Sequence, residues 1–326
     1  MTAKHAEASL KSGAGFLEHA LELAERGRGT THPNPVVGAI VVRDGEVVGE
    51  GWHERKGGPH GEIVALEAAG ERARGATLYL TMEPCTHHGD TPPCATAVLE
   101  AGVARVVAGA LDPNPEAGGG LEELRAAGVE VELVDSFEAR AQNEAWRTWV
   151  AQSRPFVTYK AAMTLDGRLT IPGERWISGE ESRRLVHELR AASDAVAVGM
   201  GTVRADAPRL DARDVGAARQ PRRLVLGQGP LPAGSELELR TGALADELTT
   251  LAAEGVQTLL LEGGPTIAAS FFNEDLVDKV LVFIAPKLSG AGPRLLDEAI
   301  APRRLTRLEA RPIGEDVLLS AYVHEP

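Results

Sequence analysis

The sequence predicts two consecutive α/β domains, and three observations carry that prediction. A chain of 326 residues exceeds what one hydrophobic core usually organises. Along both halves, short apolar runs of strand character alternate with stretches of helical periodicity, which implies largely parallel sheets with helices on their faces. Between the two series, Ser153-Arg154-Pro155 interrupts the pattern. The expected layout is a loose tail over 1–13, a first domain over 14–152 and a second over 155–326.

In the first domain Phe16, Leu17, Ala20, Leu21 and Ala24 recur at helical spacing, and Gly27 and Gly29 supply the stop. Residues 36–42 and 47–52 read as a hairpin, because Asp44-Gly45 accepts the positive φ that a two-residue turn needs. Then follow a helix over 62–69, a strand over 77–81, a helix over 94–101, a strand over 103–110, a helix over 121–127 and a strand over 129–133. A single helix over 138–151, with Trp146 and Trp149 as packing residues, is expected to close the domain. The second domain begins with a strand over 156–161. Ser178 and Glu181 stand at capping-box spacing for a helix running to Arg190, hydroxyl and carboxylate each able to satisfy a free backbone N–H. Strands over 195–199, 223–227, 258–261 and 279–284 follow, interleaved with helical segments.

Composition narrows the function classes. Hydrophobic residues at 43% and charged residues at 25% describe a globular chain. A net charge of -13 argues against general nucleic-acid binding, which rests on clustered Lys and Arg neutralising phosphates. No run is long and apolar enough to cross a bilayer, and the N-terminus, with His5, Glu7 and Lys11, lacks a secretory apolar core. The expectation is a cytoplasmic protein with no membrane or nucleic-acid partner. In that reducing compartment the two cysteines, Cys85 and Cys94, point to metal binding or catalysis rather than to a disulfide.

The sharpest chemical signal is His60-Gly61-Glu62 followed by Pro84-Cys85 and then Cys94. One imidazole and two thiolates leave the fourth tetrahedral position of a zinc ion open for water, as in catalytic rather than structural sites. Glu62, on the first turn of a helix, is placed to carry protons rather than to ligate. Cys94 opens a helix after Pro92-Pro93, where the positive helix end favours a thiolate. Taken alone, His-x-Glu is common and an ordinary surface turn explains it; the two cysteines in this order change the reading. The pattern is that of zinc nucleobase deaminases, with the cysteines set wider apart.

At this point a family resemblance becomes specific. Residues 31–38 (Thr-His-Pro-Asn-Pro-Val-Val-Gly), His60-Gly61-Glu62, residues 83–94 and Asp112-Pro113-Asn114-Pro115 closely resemble the riboflavin-specific deaminases of the cytidine deaminase-like superfamily. The resemblance implies a three-layer α/β/α domain in which His60, Cys85 and Cys94 bind zinc, Glu62 shuttles protons and Asn34 holds a pyrimidine. Three positions depart from the family. Gly61 stands where Ala is usual and is expected to loosen the backbone between ligand and shuttle. Asp90 stands where Lys or Arg is usual, and the Gly118-Gly119-Gly120 loop is one residue short.

The second half resembles the reductase domain of the same bifunctional family, whose fold is similar to dihydrofolate reductase. The matching features are Lys160, Leu165-Asp166-Gly167-Arg168, Trp176-Ile177, Leu189-Arg190-Ala191, Gly199 to Asp206 and Glu262-Gly263-Gly264-Pro265. The resemblance implies that Ala162, Trp176, Thr202, Asp206 and the run Gly264, Pro265, Thr266, Ile267, Ala268, Ala269 and Ser270 contact NADPH. It likewise implies that Lys160, Asp166, Arg190, Leu210, Arg213 and Glu262 contact the substrate. Independently of the family, Gly263-Gly264-Pro265 between an apolar strand and a helix would expose backbone N–H groups to a phosphate, and a plain turn is the alternative. No Gly-x-Gly-x-x-Gly follows the domain's first strand, which argues against a Rossmann fold. Arg190 and Arg213 suit phosphate, or else pair with acidic neighbours. The segment before Trp176 is short and lacks a serine, Ala207 replaces an acidic residue, and 226–244 is abbreviated.

The whole implies hydrolytic deamination of a phosphorylated ribosylaminopyrimidine followed by NADPH-dependent reduction of its ribosyl group, in a homo-oligomer, dimer or tetramer. The rival readings are a reductase with a degenerate deaminase domain, a zinc deaminase of another nucleoside or nucleobase, and a binding protein that retains only the fold.

Overall fold

The computed structural model describes residues 13–87, 92–296 and 300–326. The chain divides into two compact units, the first ending at Ala151 and the second spanning Gln152–Glu325.

The first unit is built on a five-stranded sheet. Helix α1 (Gly13–Glu25) precedes the hairpin β1 (Gly38–Arg43) and β2 (Glu46–Trp52), whose turn residues Asp44 and Gly45 both take positive φ, 53° and 79°. Then come α2 (Gly61–Ala69), β3 (Thr77–Leu80), α3 (Cys94–Ala101), β4 (Arg105–Ala108), α4 (Gly120–Ala126) and β5 (Glu130–Leu133). The strand order is β2-β1-β3-β4-β5, with β1 antiparallel to both neighbours and β3, β4 and β5 parallel. The sheet is therefore mixed, less parallel than the strand-helix alternation suggested, because the opening hairpin supplies two antiparallel pairings.

Side chains of successive strand residues point to opposite faces, and β1 shows it. Ile40 and Val42 meet Phe16, Ala20 and Leu23 of α1, whereas Ala39 and Val41 join Ala65, Leu66, Val98 and Leu124 of α2, α3 and α4. The result is three layers. The expected single helix over 138–151 is two helices, α5 (Phe137–Gln142) and α6 (Glu144–Gln152). They part at Asn143, whose buried amide grips Val36 through both its backbone groups, Oδ1 accepting from Val36 N at 3.0 Å and Nδ2 donating to Val36 O at 2.9 Å.

The second unit carries an eight-stranded sheet. In chain order its elements are β6 (Phe156–Thr164), α7 (Glu180–Ala192), β7 (Ala195–Gly199), α8 (Met200–Asp206), β8 (Arg222–Leu226), β9 (Glu238–Arg240), α9 (Leu244–Ala253), β10 (Thr258–Leu261), α10 (Pro265–Asn273), β11 (Lys279–Ala285), β12 (Thr306–Ile313) and β13 (Asp316–Tyr322). The order is β12-β13-β11-β6-β10-β7-β8-β9, parallel from β11 to β9, with a C-terminal antiparallel hairpin that the sequence reading did not place. Val157, Tyr159, Leu259, Leu261, Phe271 and Val280 form its main core.

The predicted capping box at Ser178 and Glu181 does not form. Helix α7 starts after Gly179 with no side-chain cap from those residues. Buried Asp316 of β13 does the work instead, accepting from Gly179 N at 2.8 Å and Ser182 Oγ at 2.5 Å. A carboxylate brought from far along the chain takes the N–H of the residue that precedes the helix and complements the helix dipole.

Candidate functional site

In the first unit β1, β2 and β3 bring three segments to one edge of the sheet. His60 is the N-cap of α2, with extended backbone (φ -72°, ψ 160°), so its ring projects back from the helix start. Cys85 lies in the loop after β3, and Cys94 is the first residue of α3 after Pro93. Their ligand atoms lie within 4.8 Å of one another, and among the described residues they are the one cluster of this kind. His60 Nδ1 is 3.1 Å from Cys94 Sγ and 3.7 Å from Cys85 Sγ.

The donor set fits zinc on its own chemistry. The hydrogen bond from the Cys94 thiol, with that from His60, pushes the Cys85 thiol down to about 4, while Cys94, as the donor in the pair and buried, is pushed up. The hydrogen bond with Cys85 raises His60. Glu62, only 2% exposed, is pushed up by burial, and its Oε2 has no hydrogen-bond partner. An orphaned carboxyl oxygen beside three metal-type donors marks where an absent group belongs.

Gly61 does not loosen this site. A Cβ there would lie 2.7 Å from Val37 O, so the missing side chain lets the start of α2 sit against the strip that carries Asn34. Glycine here is a close-approach residue. Asn34 is half-buried in that strip, which Asn143 holds at Val36. Asp90 falls outside the described residues.

Two further groups lie beside the cluster, Asp112, marked in the sequence only as part of the 112–115 motif, and His53, which carried no sequence signal. His53, at the end of β2 and 2% exposed, packs its ring edge-on against His60 at 5.2 Å. Its Nδ1 lies 3.1 Å from Pro59 O, its Nε2 has no partner, and burial lowers its pKa. Asp112 is pushed up to about 6 by burial, with Glu83 and Cys85 adding negative charge nearby.

In the second unit the parallel strands β6, β10 and β7 end at one edge, where ligands of open α/β sheets bind. Glu262, just past β10, is the centre of a part-buried charge cluster. It accepts from Lys160 Nζ of β6 at 3.1 Å, and from Arg190 Nε and Nη2 of α7 at 2.5 and 2.9 Å. Burial pushes the Glu262 carboxyl up, but Lys160 and Arg190 outweigh it and hold it at about 2. Arg190 Nη1 donates to Asp211 O at 3.2 Å, which draws the 210–213 strip alongside. In that strip Leu210 is buried with φ 55°, a strained conformation for a bulky residue, and Arg213 Nη1 donates to Asp211 Oδ1 at 2.6 Å. Both arginines thus have carboxylate partners within the protein.

Lys160 pairs with Glu262 and not with Asp166. Asp166 accepts from Thr164 Oγ1, Ser289 N and Gly290 N, which hold its carboxyl well below the usual carboxylate range. Trp176 is exposed, flanked by the guanidinium groups of Arg175 and Arg183 at 5.0 and 5.4 Å from its ring, and its carbonyl accepts from Lys287.

Helix α10 starts after Gly264 with Pro265 at its first position, so backbone N–H groups of its first turn are unspent. A Cβ on Gly264 would stand 3.9 Å from Thr202 Oγ1, and one on Gly199 3.1 Å from Ile267, so the starts of α8 and α10 meet. That open helix start, with Thr202 beside it, fits the phosphates of a nucleotide cofactor. Ala162 lies near the end of β6, and Asp206 is exposed at the end of α8. Among the described residues no helix is long and apolar enough to cross a membrane.

Comparison with known proteins accounts for both units. Residues 11–110 match the cytidine and deoxycytidylate deaminase zinc-binding region, and residues 155–319 match the RibD C-terminal domain. The chain is 41% identical to the riboflavin biosynthesis protein RibD of Aquifex aeolicus, covering 93% of this chain and 96% of that one. It is 39% identical to RibD of Escherichia coli, covering 93% and 97%. Among solved structures, RibD of Acinetobacter baumannii superposes with a TM-score of 0.82 at 32% identity, covering 97% of this chain and 99% of that one. A diaminohydroxyphosphoribosylaminopyrimidine deaminase/5-amino-6-(5-phosphoribosylamino)uracil reductase from Thermotoga maritima does so at 0.79 and 33%, covering 98% and 99%. Relatives this similar, matched across both units and not one alone, place the chain in the RibD family, bifunctional enzymes of riboflavin biosynthesis in which a deaminase and a reductase share one polypeptide.

Proposed function

We propose that the deaminase domain, 14–152, hydrolyses the exocyclic amine of a diaminopyrimidine carrying a ribosylamino 5′-phosphate. The reductase domain, 155–326, then reduces the ribosyl group of the product to ribityl with NADPH. The observation that carries the reading is the convergence of His60, Cys85 and Cys94 beside the unpartnered Oε2 of Glu62.

His60, Cys85 and Cys94 would hold zinc, and bound zinc supplies a Lewis acid that makes water nucleophilic near neutral pH. Glu62 handles the protons at Oε2: burial raises its pKa, so it can take a proton from the attacking water and pass it to the leaving nitrogen. Water adds to the amine-bearing ring carbon, the C–N bond breaks and ammonia leaves. Asn34 holds the pyrimidine ring, and His53 Nε2 offers a further polar contact.

In the reductase domain, bound NADPH supplies hydride from its nicotinamide C4. The free N–H groups at the start of the run from Gly264 through Ser270, those of Thr266 and Ile267, with Thr202, would hold cofactor phosphates, and the rest of the run with Ala162, Trp176 and Asp206 would complete its site. Lys160, Asp166, Arg190, Leu210, Arg213 and Glu262 would orient the sugar phosphate, with the Glu262 cluster fixing the side-chain positions. The sugar's C1′ gains the hydride, its bond to the ring oxygen breaks and that oxygen takes up a proton. The working form is read as a cytoplasmic homo-oligomer, dimer or tetramer, on the family resemblance.

The test is to incubate purified protein with the phosphorylated diaminopyrimidine, with and without NADPH, and to identify products by mass. Replacement of the amine by oxygen without NADPH, and a further gain of two hydrogens only with it, is the expected result. Zinc-loaded protein that releases no ammonia yet oxidises NADPH with the deaminated pyrimidine would leave a reductase alone.

A further inference from the structure

Glu83 sits two residues before Cys85 and is 5% exposed. Its three hydrogen-bonding partners given by the geometry are all backbone amides. Oε1 accepts from Gly119 N and Leu121 N, each at 3.1 Å, and Oε2 accepts from Asp112 N at 3.2 Å. One side chain therefore ties the loop after β4 and the start of α4 to the segment that presents a metal ligand.

The neighbouring contacts tighten the same seam. Thr86 N and Oγ1 donate to Ala117 O at 2.9 and 3.2 Å, and Oγ1 lies 3.0 Å from Gly118 O. A Cβ on Gly120 would fall 1.9 Å from Pro84 O, so only glycine lets the start of α4 reach this close. Cys85 O in turn accepts from Ala95 N at 3.1 Å, one residue after Cys94. The peptides on both sides of Cys85 are thus clamped, and its own carbonyl is tied to the helix that begins with the other sulfur ligand. The Gly118-Gly119-Gly120 run, a departure from the family in sequence, forms part of the seat.

We propose that Glu83 is a positioning residue for the metal centre: its buried carboxylate holds the loop that fixes Cys85 against Cys94 before metal arrives. The inference rests on the zinc reading above. A carboxylate is needed because both oxygens accept; glutamine has one acceptor oxygen, and its amide N–H groups would face backbone N–H groups. Residues that orient metal ligands without touching the metal set affinity by preorganisation, and losing one weakens binding about tenfold to a hundredfold.

The test uses the full chain, stripped of metal and titrated with zinc against a chromophoric chelator, and separately loaded with cobalt for absorption spectroscopy. Glu83→Gln is expected to weaken zinc about tenfold to a hundredfold. It should also shift the cobalt ligand-field bands at saturation, while reductase turnover of the same preparation stays at the wild-type level. A variant that melts earlier but keeps wild-type zinc affinity and wild-type cobalt bands would reduce Glu83 to a stabilising residue and overturn the proposal. If Glu83→Gln does not fold, Thr86→Val decides by the same two readouts, with a smaller loss expected and an unchanged affinity and spectrum counting against it. Wild-type protein without thiolate-to-cobalt charge transfer would instead overturn the zinc reading, and this role with it.

Discussion

Glu62, buried, and Glu262, half-buried with a shielded carboxyl group, lie near an edge of a sheet, one in each unit, and their acidities move in opposite directions. Around Glu62 burial dominates and the carboxyl is pushed up. Around Glu262 the penalty of burial is outweighed by Lys160 and by a two-pronged contact from Arg190, and the group stays ionised, at about 2. Removal from water raises the cost of the charged form in both cases; what differs is whether cations share the pocket. The first is thereby suited to the proton-carrying role proposed for it, and the second holds two cations as an anion.

Four experiments would break or sharpen that contrast. The largest effect is expected from Glu62→Gln, which removes the proton carrier but no ligand: ammonia release should fall about 10²–10⁴-fold, with zinc content and reductase turnover unchanged. Next, Glu262→Gln leaves half-buried Lys160 and Arg190 against a neutral amide, and denaturant unfolding of the second unit should show a loss of up to about 3–5 kcal/mol. A Glu262 that behaved like Glu62 would instead tolerate the change.

The acid limb is the third. Because the folded Glu262 carboxyl lies near 2, below its ordinary 4.5, the stability it confers is fully present above about pH 4.5 and is lost as the pH falls toward 2. Unfolding midpoints measured across that window should decline in the wild type, and this component should vanish in Glu262→Gln. The smallest effect belongs to another buried carboxylate, Asp316. Ser182→Ala removes one of its donors while Gly179 N remains, and a loss of about 1.5 kcal/mol on unfolding is expected. A null result there would mean that the backbone donor alone suffices.

Legibility in the sequence followed chain distance. The hairpin at Asp44-Gly45 and the start of α3 at Cys94 were readable because turns and helix starts are specified by residues a few positions apart. The ligand set was readable because imidazole and thiol side chains are rare and their chemistry is narrow. The errors came from partners supplied at long range. Ser178 and Glu181 had the right spacing for a cap, yet Asp316 takes that place. One helix was expected over 138–151, yet Asn143 leaves it to hold Val36. Gly61 looked like slack and is instead a point of close approach to Val37. His53 had no local feature to mark it; its ring meets that of His60 across the loop between β2 and α2.

By itself the sequence determined the α/β class, the order of most elements and the kinds of atom available for chemistry, because periodicity and side-chain identity are local properties. The tertiary structure alone decided which of the two glutamates has its pKa raised and which has it lowered, and which backbone groups Glu83 and Asn143 satisfy. Those outcomes depend on desolvation and on charges and donors brought from distant parts of the chain, and neither is defined until the strands have paired.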